Sequence, residues 1–177
     1  GAGKIFEIGP CYRAGEQGRL HNTKFTMLEW YETGADYRRL ITFTNDLIRE
    51  VVHEINGEPR FDYQGATIDC SGTADLMTVD NAFRHFAGTP SADAVQAGRF
   101  EELLAADIEP RLGRTRPMFL TDYPIEQAGF VKAHNDTPDV CERWELYIAG
   151  VELANAGSEL TDAADYRQRF VAAAAAR

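Results

Sequence analysis

Apolar and polar side chains alternate with period two over residues 25–32, Phe-Thr-Met-Leu-Glu-Trp-Tyr-Glu, and the β-branched and aromatic content of the run predicts a strand. Residues 4–13 predict another. Pro10 removes a ladder donor there, so that strand is expected to bulge or to lie at an edge. Between them, residues 14–24 are polar and read as a long loop that carries Arg19 and His21. Over residues 36–55 the period changes. Tyr37, Leu40, Ile41, Thr44, Leu47, Ile48, Val51, Val52 and Ile55 form the stripe of an amphipathic helix, and Asn56-Gly57 is its stop.

Periods are weak from 60 to 115, where a short strand at 66–70 and helices at 79–86 and 100–106 are expected. Residues 118–123 predict a strand ended by Pro124. Residues 142–148 and 151–155 predict a hairpin around Ala149-Gly150, and the alanine-rich stretch 163–176 predicts a helix. Strands and helices do not alternate regularly. The expected fold is therefore α+β, one domain over 1–177 with an antiparallel sheet flanked by helices.

Alternation assigns faces. In 25–32, Thr26, Leu28, Trp30 and Glu32 share the face expected to pack under helices, and Phe25, Met27, Glu29 and Tyr31 share the other. The plainer reading of Glu29 is a solvated strand position. In the hairpin, a two-residue turn sets Ile148 against Val151 and Tyr147 against Glu152. Glu145, Tyr147, Glu152 and Ala154 then share a face, with Glu145 and Glu152 diagonal neighbours. A divalent cation between two carboxylates relieves their repulsion, and Mg²⁺ commonly binds through one or two carboxylates plus substrate phosphates. Water on an open sheet face would screen them equally well, so both readings stand at this point. Arg13, at the mouth of the loop, has the forked donor geometry that grips phosphate.

Of 177 residues, 44% are hydrophobic and 26% charged, enough for a packed core. A net charge of −10 disfavours binding nucleic acid mainly through phosphate neutralisation. Cys11, Cys70 and Cys141 are widely spaced and share no ligand pattern with the four histidines, which argues against zinc and for a reducing, cytoplasmic compartment. No apolar run is long enough to cross a bilayer, so no membrane partner is expected. P-loop, GxGxxG and GxSxG patterns are missing. The chain opens Gly1-Ala2-Gly3-Lys4 straight into a strand and reads as a fragment that begins inside a fold.

Three ordered runs carry a resemblance: Phe6-Glu-Ile-Gly-Pro-Cys-Tyr-Arg13, then Arg19-Leu-His-Asn22 with Phe25-Thr-Met-Leu-Glu-Trp-Tyr31, then Glu142-Arg-Trp-Glu-Leu-Tyr-Ile-Ala-Gly-Val-Glu-Leu-Ala-Asn-Ala-Gly-Ser-Glu-Leu-Thr-Asp162. They resemble the second motif and the later ATP- and lysine-binding segment of class II lysyl-tRNA synthetases. Leu28-Glu29-Trp30-Tyr31, Tyr123-Pro-Ile-Glu-Gln-Ala128 and Glu159-Leu-Thr-Asp162 are more similar to the truncated paralogue family that ligates β-lysine to elongation factor P.

The resemblance implies part of a class II catalytic domain that uses ATP and Mg²⁺ to activate a lysine-type amino acid. The acceptor would be elongation factor P or, alternatively, tRNA-Lys, and the complete protein would be a homodimer. It also implies roles. Arg13 would hold the α-phosphate and substrate carboxylate, His21 would lie near the triphosphate and Phe25 would stack on adenine. Glu145 and Glu152 would hold Mg²⁺. Glu29 would serve the amino acid's α-region, Tyr31 and Glu159 its distal ammonium, and Asn155 would be a further substrate contact. Strict alternation sets Asn155 on the face opposite Glu152, so this role requires a bulge near Ala156-Gly157.

Two departures stand out. Arg13-Ala14-Gly15 replaces the family's usual Arg-Asn-Glu, leaving Glu16 as the nearest carboxylate, and Ala156 stands where relatives usually have glycine. Relatives also continue at both ends, with a dimer-forming motif and a substrate-binding glutamate upstream and an arginine for the γ-phosphate downstream. A catalytically silent paralogue therefore remains a third reading.

Overall fold

The computed structural model describes residues 2–15, 17–18 and 20–175, so Glu16, Arg19, Arg177 and the last residue of the expected tail helix, Ala176, lie outside the described residues. The chain divides into two compact units, Gly1–Ala35 and Asp36–Arg177.

The first unit is a hairpin of β1 (Lys4–Tyr12) and β2 (Lys24–Glu32). Its antiparallel register runs unbroken from Lys4↔Glu32 to Tyr12↔Lys24. The bulge expected at Pro10 does not form. Pro10 pairs with Thr26 in a strand that has only β2 as its described neighbour, where a missing donor is tolerated. On the face of Leu28 burial is uneven: Leu28 is 40% exposed, while Trp30 and Glu32 are half-buried.

In the second unit, α1 (Tyr37–Asn56) starts at an Asp36 cap whose carboxylate accepts from Arg39 N, and it stops at Gly57 in the left-handed conformation. A small hairpin follows, β3 (Arg60–Tyr63) with β4 (Ala66–Asp69). A four-stranded sheet has the order β5 (Asp75–Thr78), β6 (Met118–Pro124), β7 (Val140–Ile148), β8 (Val151–Gly157). β5 pairs parallel with β6 and the other two pairs are antiparallel, so the expected all-antiparallel sheet is corrected to a mixed one. β5 escaped sequence reading because four residues are too few to establish a period.

Between β5 and β6 lie α2 (Val79–Ala82), α3 (Ser91–Gln96) and α4 (Phe100–Leu103). α2 and α4 each continue into a π-helical turn, Phe83–Ala87 and Leu104–Ile108. The last element is α5 (Ala163–Ala175). The result is α+β with antiparallel-rich sheets. Among the described residues no helix is long and apolar enough to cross a membrane.

Apolar clusters form around this sheet, two of them on its strands' opposite faces. Phe119, Trp144 and Leu146 pack with Leu40, Ile41 and Ile48 of α1, and Phe119 meets Trp144 edge-on at 5.0 Å. Leu120, Tyr123, Cys141 and Tyr147 pack with Phe83, Phe100 and Ile108 from the helical segment. The start of α1 is tied to the sheet by polar contacts. Trp144 Nε1 donates to Tyr37 O at 2.9 Å, Tyr37 N to Ser158 Oγ at 3.0 Å, and the Tyr37 hydroxyl to Asp122 Oδ1 at 2.9 Å.

The β7–β8 turn is the expected two-residue one, with Ala149 and Gly150 both at positive φ, the signature of a type I′ turn. It docks on the segment after α4, where Ala149 N donates to Gly113 O at 2.7 Å and Gly150 N to Leu112 O at 2.9 Å. Gly113 is obligatory for this approach. Its φ is +63°, and an added Cβ would overlap Tyr147 O and lie 2.7 Å from Tyr147 C and 2.9 Å from Ile148 Cα.

Gly65, at φ +81°, has nothing within 4 Å of the same position. Gly65→Ala should therefore lose only the left-handed penalty of about 1–2 kcal/mol, and Gly113→Ala clearly more. Thermal melting checks this at about 2–4 °C per kcal/mol. Equal losses would mean that Gly113 is not the close approach described.

Candidate functional site

In Gly1–Ala35, β1 ends at Tyr12, and Arg13 N donates to Thr23 O at 3.0 Å, which closes the loop. The Arg13 guanidinium then lies over the Phe25 ring, 5.3 Å from its centroid, as a cation–π pair. His21 is exposed in the loop and exchanges backbone hydrogen bonds with Gly18. Gly15 stands at φ +82°, a conformation that the family's usual glutamate would adopt only under strain. Glu29 and Tyr31 lie two apart on the Phe25 face, both exposed, and Glu29 pairs directly with Glu7.

In Asp36–Arg177 the strand positions converge on Glu145. Two bulges make this possible. In β6 the register with β7 shifts between Thr121 and Tyr123, with Asp122 at φ +59°. Asp122 holds this conformation through the Tyr37 hydroxyl and through the Thr121 hydroxyl, which donates to its Oδ2 at 3.0 Å. The extra residue returns Tyr123 to the Leu120 face, where its hydroxyl donates to Glu145 Oε2. In β8 the register with β7 shifts between Tyr147↔Glu152 and Leu146↔Ala154, leaving Leu153 as the added residue.

The second bulge corrects the sequence expectation in two ways. It falls at Leu153, not near Ala156-Gly157, and it turns Ala154 away to the Trp144 cluster. Asn155 is thereby set directly against Glu145, and its Nδ2 donates to Glu145 Oε1 at 3.2 Å. Glu152 remains opposite Tyr147 and exposed. Glu159 is also exposed, and its backbone bridges to Val131.

Glu145 is only 5% exposed, so its carboxylate sits where charge is expensive unless it is hydrogen-bonded and neutralised. Its Oε2 accepts from both phenols, Tyr123 and Tyr147, the latter at 2.6 Å. Burial first, and then the neighbouring Glu145 charge, pushes both hydroxyls well above the usual phenol value, so both remain protonated donors. The Tyr147 hydroxyl also lies 3.2 Å from Glu109 Oε1, and its single proton serves one carboxylate at a time.

Arg143 Nη2 donates to Glu145 Oε1 as an ion pair. Arg143 is fixed by Nη1 donating to Gln127 O at 2.7 Å and by its guanidinium lying 4.5 Å from the centroid of the Tyr123 ring. Tyr123 and Arg143 are absent from the sequence-derived candidates. Arg143 was reachable, since it stands two residues before Glu145 in a strand; Tyr123 was not, because only the Asp122 bulge brings it round.

Glu145, Asn155 and Glu152 offer the hard oxygen donors that suit Mg²⁺. Among the described residues no group of three or more His, Cys, Asp and Glu side chains is gathered as a metal site. Glu145 Oε1 and Oε2 already accept four hydrogen bonds, so a cation fits only if one donor withdraws. Arg143 is the donor whose charge such a cation would replace.

A family model described as tRNA synthetases class II (D, K and N) matches residues 1–176. A lysine–tRNA ligase of Azoarcus sp. (strain BH72) is 35% identical over 196 residues, covering 100% of this chain and 39% of its own length. An elongation factor P–(R)-beta-lysine ligase of Edwardsiella ictaluri (strain 93-146) is 36% identical over 176 residues, covering 96% of this chain and 54% of its own length. The corresponding ligase of Hamiltonella defensa subsp. Acyrthosiphon pisum (strain 5AT) is 35% identical with the same coverage. The chain spans between two fifths and just over half the length of these relatives. Because the family match takes in both units and every residue from Arg13 to Glu159 discussed above, the chain belongs to the class II tRNA synthetases of the D, K and N group.

Proposed function

We propose that this chain carries the activation chemistry of a lysine-directed ligase, in which ATP converts lysine or β-lysine to an aminoacyl-adenylate that is passed to a lysine of elongation factor P. The observation that carries the reading is the agreement between two kinds of relative. Both are named for lysine, and both align over 96% or more of this chain. Residues 1–177 are read as part of one catalytic domain, with its antiparallel-rich sheet flanked by helices. The apolar clusters of α1 and of the helical segment support that arrangement. A cytoplasmic location and a homodimeric complete protein belong to the same reading.

In the first step the amino-acid carboxylate attacks the α-phosphorus of ATP in line, and pyrophosphate leaves. No protein nucleophile is needed, so the work is positioning and charge stabilisation. Arg13 would neutralise the α-phosphate and orient the substrate carboxylate. Its stacking on Phe25 supports a platform for adenine, with His21 toward the triphosphate. Glu29 would meet the amino acid's α-region and Tyr31 its distal end. In the second unit, Asn155 would hold substrate polar groups and Glu159 would pair with the distal ammonium. Glu159 is exposed, which leaves its carboxylate within reach of a cationic ligand. Glu145 and Glu152 would hold Mg²⁺, which when bound screens phosphate charge.

The alternative acceptor is tRNA-Lys, favoured by the lysine–tRNA ligase that covers the whole chain. Transfer assays on the intact protein, with elongation factor P and tRNA-Lys in parallel, separate the two.

Arg13→Ala should slow adenylate formation by about 10²-fold or more, as loss of a transition-state donor does. Single-turnover AMP transfer measures it, and a near-normal rate would remove Arg13 from the mechanism. Glu159→Gln should raise the lysine KM by about 10-fold or more with the ATP KM unchanged, because the ammonium loses its counter-charge. Undiminished discrimination between lysine and norleucine in this variant would refute the assignment.

A further inference from the structure

We propose that Arg143 is an exchangeable counter-ion. It neutralises Glu145 while no metal is bound, and it leaves Oε1 when a divalent cation arrives. The inference rests on the reading of Glu145 as a cation-holding residue.

The two oxygens of Glu145 are not equivalent. Oε2 accepts from two phenols that are fully buried in the apolar cluster, so that oxygen is committed. These donors satisfy lone pairs but bring no charge. Among the described residues, the positive charge comes at Oε1, from Arg143, with the Asn155 amide beside it. The side chains there differ in accessibility: Arg143 is 21% exposed against 7% for Glu145, so the guanidinium lies on the solvent side of the pair. The residue facing Arg143 across the ladder is Gly157, which has no side chain to confine it.

Arg143 has anchors besides Glu145. Nη1 donates to Gln127 O, Nε lies 3.3 Å from Asn155 Oδ1, and the guanidinium stacks on Tyr123. A small rotation that gives up Nη2–Oε1 keeps the carbonyl contact and the ring face. It exposes one carboxylate oxygen next to one amide. A buried carboxylate stripped of its partner is strongly destabilising. Arg143 and a cation are therefore alternatives, since each supplies the positive charge and the two repel one another at a single oxygen.

The test uses the intact protein with Mn²⁺ as probe and no nucleotide or amino acid. Thermal melting is compared in EDTA and in millimolar Mn²⁺, and Mn²⁺ binding is followed by electron paramagnetic resonance. Wild-type stability should rise only slightly in Mn²⁺, because the cation must displace Arg143 to bind. Arg143→Met should melt lower in EDTA, recover most of the loss in Mn²⁺, and bind Mn²⁺ about 10-fold or more tighter than wild type, the mass-action counterpart of that recovery. The double variant Arg143→Met/Glu145→Gln, with no buried charge left, should lose the Mn²⁺ response. If Arg143→Met does not fold, Arg143→Gln removes the charge while retaining a donor and carries the same comparison.

A loss of stability that Mn²⁺ does not restore would make Arg143 a purely structural residue and overturn the proposal. So would an equal Mn²⁺ response in the double variant. An active ligase whose Arg143 variant ignores Mn²⁺ would sink this inference alone. An inactive protein with metal-restored stability in the variant would sink the ligase reading alone.

Discussion

A buried carboxylate must be satisfied, and in the larger unit that requirement falls on Glu145. With one side chain almost wholly out of water, both oxygens need donors and the charge needs a partner. The sheet supplies them by breaking its own regularity twice. The Asp122 bulge, held by the Tyr37 hydroxyl at the start of α1, delivers Tyr123. The Leu153 bulge delivers Asn155. Unbulged strands would leave Glu145 with Arg143 and Tyr147 alone and would turn an amide and a phenol into the opposite cluster. The helix anchor, the bulges and the polar network therefore act as one assembly.

How far this could be read from the chain depends on what kind of signal each feature leaves. The period of α1 and its Gly57 stop are strong because twenty residues repeat one pattern. The Ala149-Gly150 turn fixes the pairs Ile148↔Val151 and Tyr147↔Glu152, and those hold. Extrapolation fails one residue later, because a bulge resets alternation without requiring any particular residue type. Leu153 looks like an ordinary strand position. Asp122 is scarcely more informative, since aspartate tolerates the left-handed conformation in many contexts. β5 was lost because four residues carry no period, and its parallel pairing depends on the intervening helices closing back on β6.

Family membership, by contrast, was legible in long ordered runs, and the residues in those runs are distributed over both units. In the smaller unit the hairpin register sets Arg13 over Phe25, an arrangement that neither residue announces alone. In the larger unit the polar residues that the runs single out do not stand free. Glu145 is enclosed by tyrosines and an arginine, while Glu152 and Glu159 face solvent. Carboxylates so differently placed differ in what holds them: the enclosed one is fixed by its donors, and the other two lie at the surface.

The most direct measurement is amino-acid-dependent ATP–pyrophosphate exchange by the intact protein, with α-lysine and β-lysine compared side by side and norleucine as control. Exchange with a lysine isomer and none with norleucine is the result the account predicts, and the preferred isomer distinguishes the tRNA-directed from the protein-directed reading. No exchange with either isomer, in protein shown to be folded, would contradict the assignment and leave a chain that keeps the family's architecture without its activation chemistry.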